Sequence, residues 1–222
     1  MIAIVDYGIG NLGSVSKAFR ACGAEVALTA DPEALRRAEA LVLPGDGAFG
    51  AAMDELRARG LLEPVLRAAR AGTPLLGICV GMQLLLQESE EHDRHAGLGL
   101  LPGRVRRLPD GPLPVPHMGW NRLERRRPHP VLDAVADGAH VYFVHSYFCD
   151  APAEVVLATA DYGIELPAVV GAGNLLGLQF HPEKSQGVGL RLIAGFVAWA
   201  TRADARGDAA TLLAPARRRP CS

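Results

Sequence analysis

Long apolar runs are missing from this 222-residue chain: no stretch approaches the roughly 20 residues a membrane-spanning helix needs. Charge of one sign is missing too. The formal net charge is −1, which argues against nucleic acid or an anionic membrane surface as a partner. The runs Arg125-Arg126-Arg127 and Arg217-Arg218-Arg219 are local and read as solvated or docking features. Cysteine is scarce, at four residues, and none forms a Cys-x-x-Cys pair, so neither a structural zinc site nor a disulfide framework is indicated. Internal repeats are absent. A basic leader with a cleavage site is not found before the first strand pattern, Ile2–Val5, so a cytoplasmic location is expected.

What is present suits a packed α/β domain. Hydrophobic residues make up 49%, punctuated by 25 glycines and 16 prolines. The first half alternates. Strands are expected at Ile2–Val5, Glu25–Thr29, Ala40–Leu43 and Pro74–Ile78, with helical stretches between them near 14–21, 33–38, 50–59 and 61–71. This order implies parallel pairing through right-handed crossovers. The second half reads as strands at 104–108, 140–147, 154–159, 168–171 and 175–180, the last two joined by Gly171-Ala172-Gly173-Asn174 as a hairpin. A helix over 188–201 closes the fold. The expected architecture is a three-layer α/β/α domain over residues 1–201 around a mixed, mainly parallel sheet, followed by a flexible tail over 202–222.

Three local patterns carry chemistry. The apolar strand ending at Ile78 runs into Gly77-Ile78-Cys79-Val80-Gly81 and directly into a helix. A nucleophile elbow has this form, and glycines two residues either side of the nucleophile leave room for the turn. A helix N-terminus beside sulfur favours the thiolate. Next, His181-Pro182-Glu183 ends the late hairpin. In extended backbone, His181 and Glu183 project to one face, so the imidazole could take the thiol proton while the carboxylate orients it. Finally, Pro44-Gly45-Asp46-Gly47 follows a buried strand. An N–H of this loop, together with that of Val80, could stabilise an oxyanion. Each pattern alone has a plain structural reading: a buried cysteine at a turn, a surface histidine beside an acid, an ordinary strand-to-helix loop.

Together, and in this order, the three patterns resemble the class I (triad) glutamine amidotransferases. The stretches Asp6-Tyr7-Gly8-Ile9-Gly10-Asn11-Leu12, Pro116-His117-Met118-Gly119-Trp120-Asn121 and Tyr142-Phe143-Val144-His145-Ser146-Tyr147 resemble, within that class, the glutaminase subunits of imidazole glycerol phosphate synthases. The resemblance covers about residues 1–200. It implies a triad of Cys79, His181 and Glu183 that hydrolyses L-glutamine without metal or cofactor. It also implies a glutamine pocket and oxyanion site at Gly45, Gly47, Val80, Gln83, Glu91, Ser146 and Tyr147. The implied partner is a (β/α)₈-barrel cyclase subunit, in a heterodimer with Asn11, Trp120, Tyr142 and Lys184 facing it. That cyclase would use the ammonia in histidine biosynthesis, making imidazole glycerol phosphate and an aminoimidazole carboxamide ribotide. Asp46 departs from the pattern, which more commonly has valine there; its carboxylate is expected to point outward. Two alternatives stay open: the glutaminase of another ammonia-using synthase, and a non-catalytic regulatory subunit on the same fold.

Overall fold

The computed structural model describes residues 1–202 and residue 205. Apart from 202 and 205, the tail expected over 202–222, including the second arginine run, lies outside the described residues.

The elements in chain order are β1 (Ile2–Val5), α1 (Leu12–Ala21), β2 (Val26–Thr29), α2 (Pro32–Arg37), β3 (Ala40–Leu43), α3 (Phe49–Ala58), α4 (Leu62–Arg70), β4 (Leu75–Ile78) and α5 (Val80–Leu84). There follow β5 (Glu88–Ser89), β6 (His95–Ala96), β7 (Arg104–Arg107), β8 (His117–Arg125), β9 (Ala139–His145) and β10 (Tyr147–Asp150). The chain ends with β11 (Val156–Asp161), β12 (Glu165–Ala172), β13 (Leu175–Leu178) and α6 (Gln186–Ala200). Local chemistry sets several boundaries. The Asn11 side chain accepts a hydrogen bond from Ser14 N–H at 3.3 Å and starts α1 two residues earlier than expected. Asp31 accepts from Glu33 N–H, and Pro32 occupies the first turn of α2.

A nine-stranded sheet runs β2-β1-β3-β4-β13-β12-β11-β8-β9. Its pairings from β2 to β13 are parallel, and those from β13 to β9 antiparallel, four of each. A second, small sheet runs β10-β7-β5-β6. Helices α1 and α6 pack together on one face of the parallel half, and α2, α3 and α4 cluster on the other. The result is the expected three-layer α/β/α arrangement. Strands β1, β3, β4 and β13 are buried along their whole length, as strands covered on both faces must be.

Several features differ from the sequence reading. The large sheet is mixed as expected but divided evenly between parallel and antiparallel pairings rather than mainly parallel, the strands β5, β6 and β8 were not anticipated, and the segment expected as one strand over 140–147 is two. At Ser146 the chain leaves the large sheet and enters the small one, where Tyr147 pairs with Arg107. In the basic run at 125–127, Arg126 pairs with Glu124 and Glu165, while the Arg125 and Arg127 side chains donate to the Val135 and Glu154 carbonyls.

Candidate active site

Three neighbouring parallel strands, β3, β4 and β13, end at the same edge of the sheet, and each carries one of the chemical patterns out of its carboxyl end. Sequence positions more than a hundred residues apart therefore meet. This is where open α/β sheets present ligands.

Cys79 sits in the turn between β4 and α5 with φ 54°, a left-handed conformation that a side-chain-bearing residue adopts only under constraint. The constraint is visible in the flanking glycines. A Cβ on Gly77 would lie 2.5 Å from the Gly81 carbonyl oxygen, and one on Gly81 would lie 1.8 Å from that of Leu43. The elbow is thus pressed against both its own helix and the end of β3. The sulfur is almost fully enclosed. Gln179 Nε2 donates toward it at 3.8 Å, and the Val144 carbonyl oxygen lies 4.0 Å away. Val80 and Gly81 open α5 directly after Cys79, so their N–H groups have no acceptor within the helix.

His181 lies beyond the end of β13, and its Nδ1 is 2.8 Å from Glu183 Oε1. Both side chains are buried, at 6% and 1% exposure, so their interaction is shielded from solvent. Burial opposes charging the imidazole. Hydrogen bonds and charge from Cys79 and Glu183 outweigh it and push His181 up to about 9. The backbone is held as firmly: His181 N–H donates to the Tyr142 carbonyl at 2.9 Å, and Ser185 Oγ donates to the His181 carbonyl at 2.7 Å.

A cleft of about 330 Å³ opens over these groups, lined by Cys79, Val80, Gln83, Glu91, Ser146, Tyr147, His181, Lys184, Gly47 and Asp46, with Pro116, Val144 and His145. Gly45 lies beneath it, where a Cβ would meet Gly81 N at 2.7 Å and Val80 Cβ at 2.8 Å. Gly47 has φ +73°. The Asp46 carboxylate accepts from Gly10 N–H at 3.2 Å, which ties this loop to the loop before α1. Glu91 accepts from Phe49 N–H at 2.6 Å, capping α3 directly after the glycine loop. Gln83 Nε2 donates to the Tyr147 carbonyl at 2.9 Å and to Gln179 Oε1 at 3.2 Å.

Of the four residues expected to face a partner, Lys184 lines the cleft and the Tyr142 carbonyl holds the His181 backbone, whereas Asn11 and Trp120 do not line the cleft. Asn11 is exposed and caps α1. Trp120 is 46% exposed and packs edge-on against Tyr142, ring centroids 6.0 Å apart, so it is not a core aromatic. Lys184 is exposed at the rim.

Sequence reasoning missed Gln179, which is wholly buried and touches sulfur, and the roles of His117 and His145. His117 and His145 are 28 residues apart in sequence and lie directly opposite each other across the β8/β9 ladder. Among the described residues, no group of three or more His, Cys, Asp or Glu could hold a metal ion. Cys149 is fully buried, its thiol is pushed up by that burial, and it packs as a small hydrophobe.

A strained cysteine at a strand-to-helix elbow and a buried His–Glu pair line one cleft, with a glycine loop at its edge. Residues 3–198 match the model of the glutamine amidotransferase class-I family, and the chain belongs to that family. The solved structure titled "Crystal structure of glutamine amidotransferase" superposes with a TM-score of 0.72 over 90% of this chain and 98% of its own, at 24% identity, and shows the shared fold. Within the family the match narrows. The chain is 54% identical to the imidazole glycerol phosphate synthase subunit HisH of Symbiobacterium thermophilum, covering 88% of this chain and 92% of that one. It is 50% identical to the subunit of the same name from Syntrophotalea carbinolica, covering 88% and 98%. It therefore belongs to the HisH family.

Proposed function

We propose that this chain hydrolyses L-glutamine to glutamate and ammonia, and passes the ammonia to the cyclase subunit of an imidazole glycerol phosphate synthase in the cytoplasm. The observation that carries the chemistry is the shared cleft: Cys79 on its elbow faces His181, whose far nitrogen is held by Glu183 at 2.8 Å. The pathway rests on the similarity to the HisH subunits.

In this reading His181 holds the proton of the Cys79 thiol, giving a thiolate–imidazolium pair. Glu183 orients the ring and stabilises its positive charge. The thiolate attacks the side-chain amide carbon of glutamine, and the carbonyl electron pair moves to oxygen. The Val80 N–H and an N–H of the Gly45–Gly47 loop receive that oxyanion. His181 donates its proton to the amide nitrogen, the C–N bond breaks, and ammonia leaves a glutamyl thioester. Water then gives a proton to neutral His181 and attacks the thioester carbon. Collapse expels the thiolate and releases glutamate. No step needs a metal or cofactor. Glu91, Ser146, Tyr147 and Gln83 form the walls that hold the substrate, with the Glu91 carboxylate placed to receive a cationic α-ammonium group.

The heterodimer partner is a (β/α)₈-barrel cyclase, docked on the face that carries Trp120, Tyr142, Asn11 and Lys184. Its products are imidazole glycerol phosphate and an aminoimidazole carboxamide ribotide. Exposed aromatic area, here Trp120 with Tyr142 against it, is enriched at such interfaces. The test is to mix the purified chain with a histidine-pathway cyclase subunit and measure glutamate release with and without the cyclase's nucleotide ligand. Release that is strong only in the liganded complex is expected. A complex that forms without releasing glutamate contradicts the chemistry, and no complex contradicts the pathway.

A further inference from the structure

One buried polar cluster is not used by the reaction just described. His117 and His145 lie opposite each other on β8 and β9, with His117 Nδ1 3.1 Å from His145 Nε2. His117 is 2% exposed and stacked between Phe143 and Tyr162, with centroid distances of 4.6 and 3.9 Å and interplanar angles of 20° and 25°. Its Nε2 is 3.3 Å from Asn121 Nδ2, and His145 Nδ1 is 2.9 Å from the Tyr147 carbonyl oxygen.

Both ends of this chain of bonds have a defined polarity. The Tyr147 carbonyl can only accept, so His145 Nδ1 carries hydrogen. At the other end Asn121 Oδ1 accepts from Arg122 N–H at 2.7 Å, while Nδ2 donates to the Asp161 carbonyl at 2.7 Å, so the amide cannot turn over. Its remaining N–H donates to His117 Nε2. His117 must then donate from Nδ1 to His145 Nε2. Both rings are neutral Nδ1–H tautomers, and every ring nitrogen is satisfied. An added proton would set two donors against each other at some point in the chain. Burial disfavours it as well, holding His117 down to about 4. His145 is held down to about 3, first by burial and then by the charges of His117 and His181. The titratable neighbours are His181 on the cleft side and Tyr162 on the far side.

The chain ends where the substrate cleft is built. His145 is the last residue of β9, and its side chain reaches over Ser146, at the switch between the two sheets, to fix the Tyr147 carbonyl. The same oxygen accepts from Gln83, which also donates to Gln179, and Gln179 donates toward the Cys79 sulfur. The Ser146 carbonyl accepts from Leu108 N–H at 2.9 Å. We propose that His117 and His145 are positioning residues: as a polarised pair of neutral Nδ1–H tautomers, they hold the sheet switch at Ser146–Tyr147 in the geometry that binds glutamine.

The kinetic part of this inference rests on the glutaminase reading; the tautomers do not. Two substitutions separate hydrogen bonding from packing. His117→Asn places an amide donor near the position of Nδ1 but loses the aromatic stack, whereas His117→Phe keeps the stack and loses the donor. In the complex with the cyclase and its nucleotide, His117→Phe should raise KM for glutamine about tenfold, the size of one lost buried hydrogen bond, with a smaller effect on kcat. His117→Asn should have a KM closer to the parent value despite a lower Tm. A merely structural role would make KM follow Tm, leaving His117→Asn the worse variant, and that order overturns the proposal. Nitrogen NMR of the full chain with labelled histidine should show both rings as neutral Nδ1–H forms at pH 6; an Nε2–H or doubly protonated ring at either position refutes it. A parent complex that releases no glutamate would sink the glutaminase reading, and the NMR result would still decide the hydrogen-bond chain.

Discussion

Gly81 is the point at which the elbow, its helix and the oxyanion loop are pressed together, and replacing it by alanine tests that packing. The added methyl would stand 1.8 Å from the Leu43 carbonyl oxygen and 3.3 Å from the Pro44 carbonyl carbon. An ordinary contact begins near 3.4 Å, so the two backbones must part by more than an ångström. Neither can do so freely. Leu43 is in β3, paired along its length, and Gly81 is in the first turn of α5. Overpacking of this kind costs about 3 kcal/mol or more, because no flexible side chain can give way. For a chain of this size that is a fall in Tm of about 6–12 °C. Glutaminase activity should fall further than stability explains, since the displaced groups are the N–H donors beside Cys79. The control is Gly13→Ala in α1, where a Cβ meets nothing within 4 Å and the helix should gain up to about 1 kcal/mol. Thermal unfolding of the three proteins by circular dichroism decides it. A Gly81→Ala protein as stable as Gly13→Ala would refute the reasoning.

Three further outcomes follow from the site. Glu183→Gln keeps the shape but loses the charge that holds and stabilises the His181 imidazolium, so kcat should fall by about 10²- to 10⁴-fold with little change in KM, measured as glutamate release in the cyclase complex. Glu91→Ala removes the acceptor for Phe49 N–H at the start of α3, and should cost about 1–2 kcal/mol in denaturant unfolding while raising KM for glutamine. Stability should depend on pH through the buried histidines. His117 and His145 are depressed to about 4 and 3, so below about pH 6.5 the unfolded chain binds protons the native one refuses. Stability then falls on acidification by about 1.4 kcal/mol per pH unit for each. His181 is raised to about 9, so its contribution is complete below about 6.5 and is lost as pH rises towards 9. Tm measured across pH 4.5 to 9 should show the acid limb flattened in His117→Phe; equal acid slopes in the two proteins would contradict the assignment.

Much of this was legible in the sequence because the parallel half obeys local rules. Its central strands are short apolar runs buried on both faces, α1 and α2 begin at the caps Asn11 and Asp31, and the elbow is written in the Gly77–Gly81 spacing. The antiparallel half was harder for a physical reason. In β8 the inward residues are His117, Gly119, Asn121 and Leu123, whereas the outward ones include the exposed Met118 and Trp120. The usual alternation is inverted, because the inner positions carry a polar network and the outer ones an uncovered apolar face. The break at Ser146 has no local signal: Tyr142–Tyr147 reads as one strand, and only the pairing of Tyr147 with Arg107 draws the chain into the second sheet. Gln179 was hidden by its chemistry. A buried amide that serves a sulfur 100 residues away looks, in one dimension, like any glutamine at a strand end.

The most direct test of the account is to replace Cys79 by alanine, assemble the variant with the cyclase, and measure synthesis separately with glutamine and with added ammonia. The account predicts that the complex forms, that glutamine-dependent synthesis and glutamate release disappear, and that ammonia-dependent synthesis matches the parent. Undiminished glutamine-dependent turnover in Cys79→Ala would contradict it, because the attacking sulfur would then lie elsewhere.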